Sequence, residues 1–206
     1  MDSKQPLDGI EILALEEHVD YWNHDGWFDP FSSAEYTVRQ QDYADKLHVR
    51  EIYTPQMIVD GATQFNGTDS VAAKHALLDA ANRPHIALTI SQATVAGHDV
   101  HASVSLSPAA ATAPNPHAEL YAVLVQPSAT TVVKQGENGG KTLQHAAVVR
   151  TLKRIGTVGD LASNAKAFSL AAPRGASLAG FRVVVFAQAP GSGPIIGAAT
   201  MTVTAP

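Results

Sequence analysis

The sequence predicts a chain in two parts, an α/β portion over residues 1–83 followed by an all-β portion, an antiparallel β-sandwich, over 84–206. Three observations predict it. Residues 1–83 carry 15 acidic and 6 basic side chains, whereas 84–206 carry 4 and 8, although the 206 residues together reach only -5. Nine of the aromatic side chains lie between Tyr21 and Phe65. Apolar spacing also changes: strand-length runs and helical stripes precede Arg83-Pro84, and alternation follows it. Proline disfavours helical geometry at the residue before it, so Arg83-Pro84 supplies a stop at the seam.

Composition narrows the functional classes. A net charge of -5 offers no basic surface for nucleic acid or acidic lipid. No apolar run approaches the roughly 20 residues of a membrane-spanning helix. The sequence as written has no cysteine, which excludes disulfides, thiol catalysis and zinc-thiolate sites within it. Hydrophobic residues make up 45% and suffice for a packed core.

Within the first portion, Ile10–Glu16 (IEILALE) is an apolar run of strand length, suited to a buried parallel strand. A loop punctuated by Gly26 and Pro30 follows. Ser32 opens a helix, with Ser32-x-x-Glu35 as a capping box and Phe31 with Tyr36 as a hydrophobic staple. Tyr36, Tyr43 and Leu47 share its inner face. Glu51–Asp60 (EIYTPQMIVD) is a second strand with a proline inside it. Asp60-Gly61 and Asn66-Gly67 bracket a short strand, Thr63–Phe65, giving a hairpin. Asp69 or Thr68 caps a last helix in which Val71, His75 and Leu78 share a face.

The second portion reads as strand and turn throughout. Ile86, Leu88 and Ile90 alternate, as do Val100, Ala102, Val104 and Leu106. Leu120–Val125 and Phe181–Ala187 are apolar on both faces, the pattern of strands covered on two sides. Ser107–His117 is a Pro/Ala loop. Asn138-Gly139-Gly140, Pro173-Arg174-Gly175 and Gly191-Ser192-Gly193-Pro194 mark turns. Seven or eight short strands at this spacing give a sandwich.

Two stretches offer chemistry. In Tyr53-Thr54-Pro55-Gln56, a proline within a strand run removes a ladder donor and marks an edge, a bulge or a first residue; base rates alone favour a trans bond. In the second, Glu16, His18 and Asp20 alternate onto one side of an extended chain, with His24 and Asp25 beyond, a hard-metal or general-base arrangement. The spacing is not a zinc signature, and a histidine hydrogen-bonded at a strand end is the plainer reading. Tyr21, Trp22, Trp27 and Phe28 either line a small pocket or cover a core. Arg39 and Gln40 lie beside the Tyr36/Tyr43 stripe, where a solvated face is the default. Gly136–Gly140 lacks the strand-to-helix context of a phosphate loop, and no serine sits in a Gly-x-Ser-x-Gly elbow.

Three segments together resemble a known family: Leu13–Phe31 (LALEEHVDYWNHDGWFDPF) with Arg39-Gln40 and Tyr43, Tyr53–Gly61 (YTPQMIVDG), and Gly136–Arg150 (GENGGKTLQHAAVVR). The family is the bacterial domain of unknown function 1223, exported proteins with a thioredoxin-like domain and a β-rich extension. The resemblance implies that Pro55 is the cis-proline of a thioredoxin-like fold. It also implies a periplasmic or secreted location, although no segment of the sequence reads as an export leader. Family members begin with a strand leading into a Cys-x-x-Cys segment at a helix start, where thiolates of low pKa make a redox site. Nothing in this sequence matches that segment, so the expectation is a truncated thioredoxin-like domain, with Met1 an internal methionine of a longer protein or a misplaced start.

Three functions compete. An exported thioredoxin-like protein would be redox-active only in a longer form and inactive as given, with no catalytic residue here. His18, Asp20, Tyr21, Trp22, Trp27, Arg39, Tyr53, Thr54, Pro55 and Gln56 would line the site, and Thr54-Pro55 would offer backbone to a peptide substrate. A non-catalytic binding or structural module would use the aromatic 21–31 segment or the sandwich surface. A metal-dependent hydrolase on His18, Asp20 and His24 lacks a metal motif. The expected partner is a protein or peptide, and neither a cofactor nor a metal is assigned.

Overall fold

A computed structural model describes residues 5–107, 115–136 and 138–204. Its first portion carries helix α1 (Ala34–Lys46), strands β1 (Gln56–Val59) and β2 (Thr63–Asn66), and helix α2 (Ser70–Ala81). Its second carries β3 (Leu88–Ala96), β4 (Asp99–Leu106), β5 (Glu119–Val132), β6 (Thr142–Thr157), β7 (Lys166–Ala171), β8 (Arg182–Gln188) and β9 (Ile195–Thr202). Short 3-10 turns occupy Asn23–Asp25 and Val158–Leu161. No helix among the described residues is long and apolar enough to cross a membrane.

The seven strands of the second portion form two antiparallel sheets, β3-β4-β7 and β6-β5-β8-β9. Alternation decides which side chains enter the space between them. Ile90, Val100, Val104 and Leu170 from the smaller sheet meet Leu120, Leu124, Val183 and Val185 from the larger. The central strands β5 and β8 are buried on both faces, as their unbroken apolar runs require. Their second face is covered from the first portion: Tyr36 of α1 and Leu13, Ala14 and Leu15 pack on Val123, Val125, Val149, Val184 and Phe186. The molecule is thus layered as small sheet, large sheet, then helix and extended strip. The proposed seam at 83/84 falls between α2 and β3.

Three local expectations are corrected. Ile10–Glu16 is extended but is not a strand, and its one sheet contact is a parallel bridge from Glu16 to Val148 at the β6 edge. The reason lies in backbone partners. Ile12 exchanges its main-chain bonds with the Gln5 side chain at 2.7 and 2.8 Å, and Glu16 N donates to Ala147 O at 2.8 Å. Ala147 is free to accept because β6 is the edge strand of the large sheet, and Val149 N on the same edge donates back to Glu16 O at 3.0 Å. Ala147 itself takes a positive φ of 57°.

The α1 cap is Ser33, not Ser32: its side chain accepts from Glu35 N, while the Ser32 hydroxyl is engaged with Asn23 and Asp29 O. Phe31 is thereby released from the expected staple and stands edge-on to His18. In α2 the buried face is Ala73, Ala76 and Ala80, while Val71 and Leu78 are 65% and 39% exposed. The four-residue strands of the hairpin give it a short face, and Ala76 and Ala80 seat against Val59, Met57 and Phe65 there. Asp69 caps α2 as expected, accepting from Val71 N and Ala72 N.

Candidate functional site

A cleft of about 1560 Å³ opens between the 9–19 segment, β1, α2 and the outer face of the large sheet. Its floor is apolar, with Val184 and Phe186 below, Ile12, Leu13 and Leu15 on one wall, and Met57, Val59 and Leu77 on the other. Strand β1 pairs only with β2, so its other edge has no strand partner among the described residues. The hairpin is tied to the sandwich at its turn, where Asp60 O accepts from Ile195 N at 2.8 Å and the Asp60 carboxylate meets His85 Nε2 at 3.0 Å. Gly61 follows with a φ of 60°, and a Cβ there would lie 2.6 Å from Gly193 O, so only glycine permits this approach.

The residues singled out from sequence separate into four groups. Trp22, Thr54, Pro55 and Trp27 reach the mouth of the cleft. Thr54-Pro55 is cis, and Trp22 Nε1 donates to Thr54 Oγ1 at 3.1 Å, joining the proline loop to the end of the 16–20 segment. Tyr21, Tyr53 and Gln56, the last of which also lines the cleft, belong to an amide network centred on Gln40. Gln40 Oε1 accepts from Tyr21 OH at 3.1 Å, and its Nε2 donates to Tyr53 O and Gln56 Oε1 at 2.9 and 2.8 Å. Gln64 extends the network, accepting from Tyr53 OH at 2.6 Å. Asp20 lies apart from His18, accepting from Thr37 Oγ1 at 2.6 Å.

Arg39 is not solvated. Its guanidinium donates to Glu17 Oε1, Gln188 Oε1 and Tyr43 OH at 3.2, 3.2 and 2.8 Å. It also stacks between the rings of Tyr43, Tyr121 and Phe186. Burial raises the Glu17 pKa despite the opposing charge of Arg39. This cluster clamps α1 to the large sheet, and Glu17, Tyr121 and Gln188 belong to it without any local sequence signal.

His18 sits in the fourth group. Its Nδ1 is 2.6 Å from Asp29 Oδ2 and its Nε2 is 3.4 Å from Glu16 Oε1. The same Glu16 oxygen lies 3.4 Å from His145 Nδ1, while Glu16 Oε2 accepts from Ala146 N at 2.9 Å. Phe31 lies edge-on to both imidazoles, 5.5 and 5.6 Å between centroids. Burial opposes a charge on His18, but the hydrogen bonds and charges of Asp29 and Glu16 outweigh it and raise its pKa to about 9. Burial likewise works against ionised Asp29 and Glu16, and the bonds to His18 and to main-chain N–H groups overcome it, lowering both pKa values. Strand alternation placed Glu16 and His18 together correctly, but the third member is His145, not Asp20. His145 lies far along the sequence and comes into place because Glu16 bridges to β6.

Comparison with known proteins gives two matches. A family profile described as "Protein of unknown function (DUF1223)" matches residues 1–188. A structural-genomics crystal structure of a protein from Agrobacterium tumefaciens superimposes with a TM-score of 0.63 at 23% identity, covering 91% of this chain and 78% of that one. At that identity the likeness establishes the shared fold. None of the curated proteins matches the sequence.

Proposed function

The chain belongs to the DUF1223 family, and from that premise we propose a thioredoxin-like scaffold, exported from the cytoplasm, whose thiol-disulfide chemistry needs a further segment of the protein. The observation that carries this reading is the cleft flanked by two extended main-chain segments, one of them the edge of β1 that has no strand partner among the described residues. Extended Ile10–Leu15 lies on one side and the free edge of β1 on the other, above an apolar floor. One added strand, apolar on its lower face, would supply main-chain partners to the open edge of β1 and fill the cleft above its apolar floor.

A helix following that strand would bring a Cys-x-x-Cys pair to the mouth of the cleft, beside Trp22 and the Thr54-Pro55 loop. In the exchange, one thiolate attacks a substrate disulfide, the second closes a protein disulfide, and the substrate leaves as two thiols. The chain as given holds no sulfur nucleophile. Its own residues would shape the peptide-binding rim, with Trp22 and Thr54 fixed to one another. An oxidising compartment suits such chemistry.

The test is to read the coding sequence upstream of Met1, express the extended protein and assay insulin-type disulfide reduction. The expected result is an encoded Cys-x-x-Cys and activity in the extended protein alone. A stop codon directly upstream, or an extension without the dithiol, overturns the proposal. One observation favours a second reading: Trp22, at the mouth of the cleft, and Phe28 are 50% and 69% exposed, as in a surface that binds a partner without catalysis. In that case a partner would protect the Trp22 indole from a fluorescence quencher with no thiol involved.

A further inference from the structure

We propose that Glu16, His18 and His145 form a binding site for a divalent first-row transition ion, with zinc the best fit. One potential ligand atom from each residue lies within 4.8 Å of the other two. Glu16 Oε1 is 3.4 Å from both His18 Nε2 and His145 Nδ1. Ligands of a tetrahedral ion with bonds of ~2.1 Å stand roughly 3.4 Å apart, so two edges of the coordination figure are already at the required length.

The two main ligands are held for the task. Asp29 engages His18 Nδ1 at 2.6 Å, which fixes the ring and leaves Nε2 facing Glu16. That nitrogen is buried and has no well-formed hydrogen bond. A carboxylate on the far nitrogen of a metal-bound histidine is the usual supporting contact. Ala146 N fixes Glu16 Oε2 and leaves Oε1 directed at the imidazoles. The second imidazole is also enclosed: the His18 and His145 side chains are 9% and 10% exposed, and His145 Nε2 too is buried without a partner.

Two imidazoles and one carboxylate suit zinc better than magnesium or calcium, which favour all-oxygen shells. Glu16 and His18 border the cleft, so a fourth position would open there for water or a substrate oxygen. The site differs from the His18, Asp20 and His24 set that the sequence suggested. It stands independently of any dithiol segment, since none of its three ligands is sulfur.

Chelator-treated protein is titrated with Zn²⁺ by calorimetry and then with Co²⁺, recording the visible spectrum. About one equivalent of Zn²⁺ is expected, together with cobalt bands of tetrahedral intensity. His145→Ala and Glu16→Gln should each weaken binding at least tenfold, Asp29→Asn by about 10- to 100-fold, and His75→Ala on α2 should change nothing. Circular dichroism confirms that each variant is folded. No binding by the wild type overturns the proposal whatever the variants do. Equal binding by folded His145→Ala overturns it as well.

Discussion

The sandwich and the first portion are built on different principles. Between the two sheets, side chains such as Leu120, Leu124, Val100 and Leu170 are fully enclosed, and almost nothing polar enters. Around α1 and β1–β2, burial is thinner and polar groups do much of the joining. Arg39 bridges α1 to Gln188, Gln40 bridges α1 to β1, and Asp60 bridges the hairpin to β9 and His85. A core of apolar contacts is tolerant of small shifts and contributes by area. A polar joint is directional, and removing one partner leaves the other buried and unsatisfied. The first portion is held onto the sandwich rather than built around a comparable core of its own.

Both tryptophans, Trp22 and Trp27, lie in the first portion, whereas most strand lies in the second. Tryptophan fluorescence and far-ultraviolet circular dichroism therefore report the two regions separately. The largest effect is expected at Leu124, which is enclosed between the sheets on a strand whose other face carries the first portion. Leu124→Ala should cost about 3 kcal/mol, from lost transfer energy and a residual cavity. Both probes should shift together in urea, because damage to the large sheet removes the platform for α1. Separated transitions, with fluorescence unmoved, would show that the first portion does not depend on that platform.

Arg39 breaks the comparison from the other side. Arg39→Ala leaves the Glu17 carboxylate and Gln188 without their donor and empties the slot between Tyr43, Tyr121 and Phe186. A loss of about 2 kcal/mol, the scale of lost hydrogen bonds to a charged group, is expected, seen as an earlier fluorescence transition with the circular dichroism transition little changed. The pair Arg39→Met with Glu17→Gln should regain part of the loss, because the unpaired charge goes while the packing volume stays. Coincident shifts of both probes in Arg39→Ala would contradict a local clamp.

The same contrast explains what the sequence revealed. Sandwich strands were legible because an apolar residue at every second position carries its own address: Ile86, Leu88 and Ile90 point inward whichever strand lies opposite. The doubly covered strands announced themselves by unbroken apolar runs. Tyr36 and Tyr43 were legible for the analogous helical reason. Arg39, Gln40 and His145 were not, since each is defined by a partner distant in sequence. Ile10–Glu16 misled because its composition matches a buried strand, yet its backbone is taken up by Gln5 and by the β6 edge.

The smallest expected effect is a pH dependence confined to the joint between the 16–18 segment and β6. In metal-free protein, His18 has its pKa raised to about 9 from an ordinary value of 6.5. The folded state therefore holds the proton more tightly than the unfolded chain, and the stability it contributes is fully present below about pH 6.5. It is lost as pH rises through 9. Asp29 and Glu16 have lowered values, so their share is present above about pH 4.5 and lost on acidification. Stability attributable to this group should be greatest between those limits. Allowing for solvent screening, the loss from about pH 6 to about pH 9.5 should be near 1 kcal/mol, read as a lower urea midpoint of tryptophan fluorescence. His18→Gln should flatten that slope, and the difference between the two proteins removes the contribution of every other titrating group. Equal slopes in both proteins would mean that the carboxylates do not hold a histidinium there.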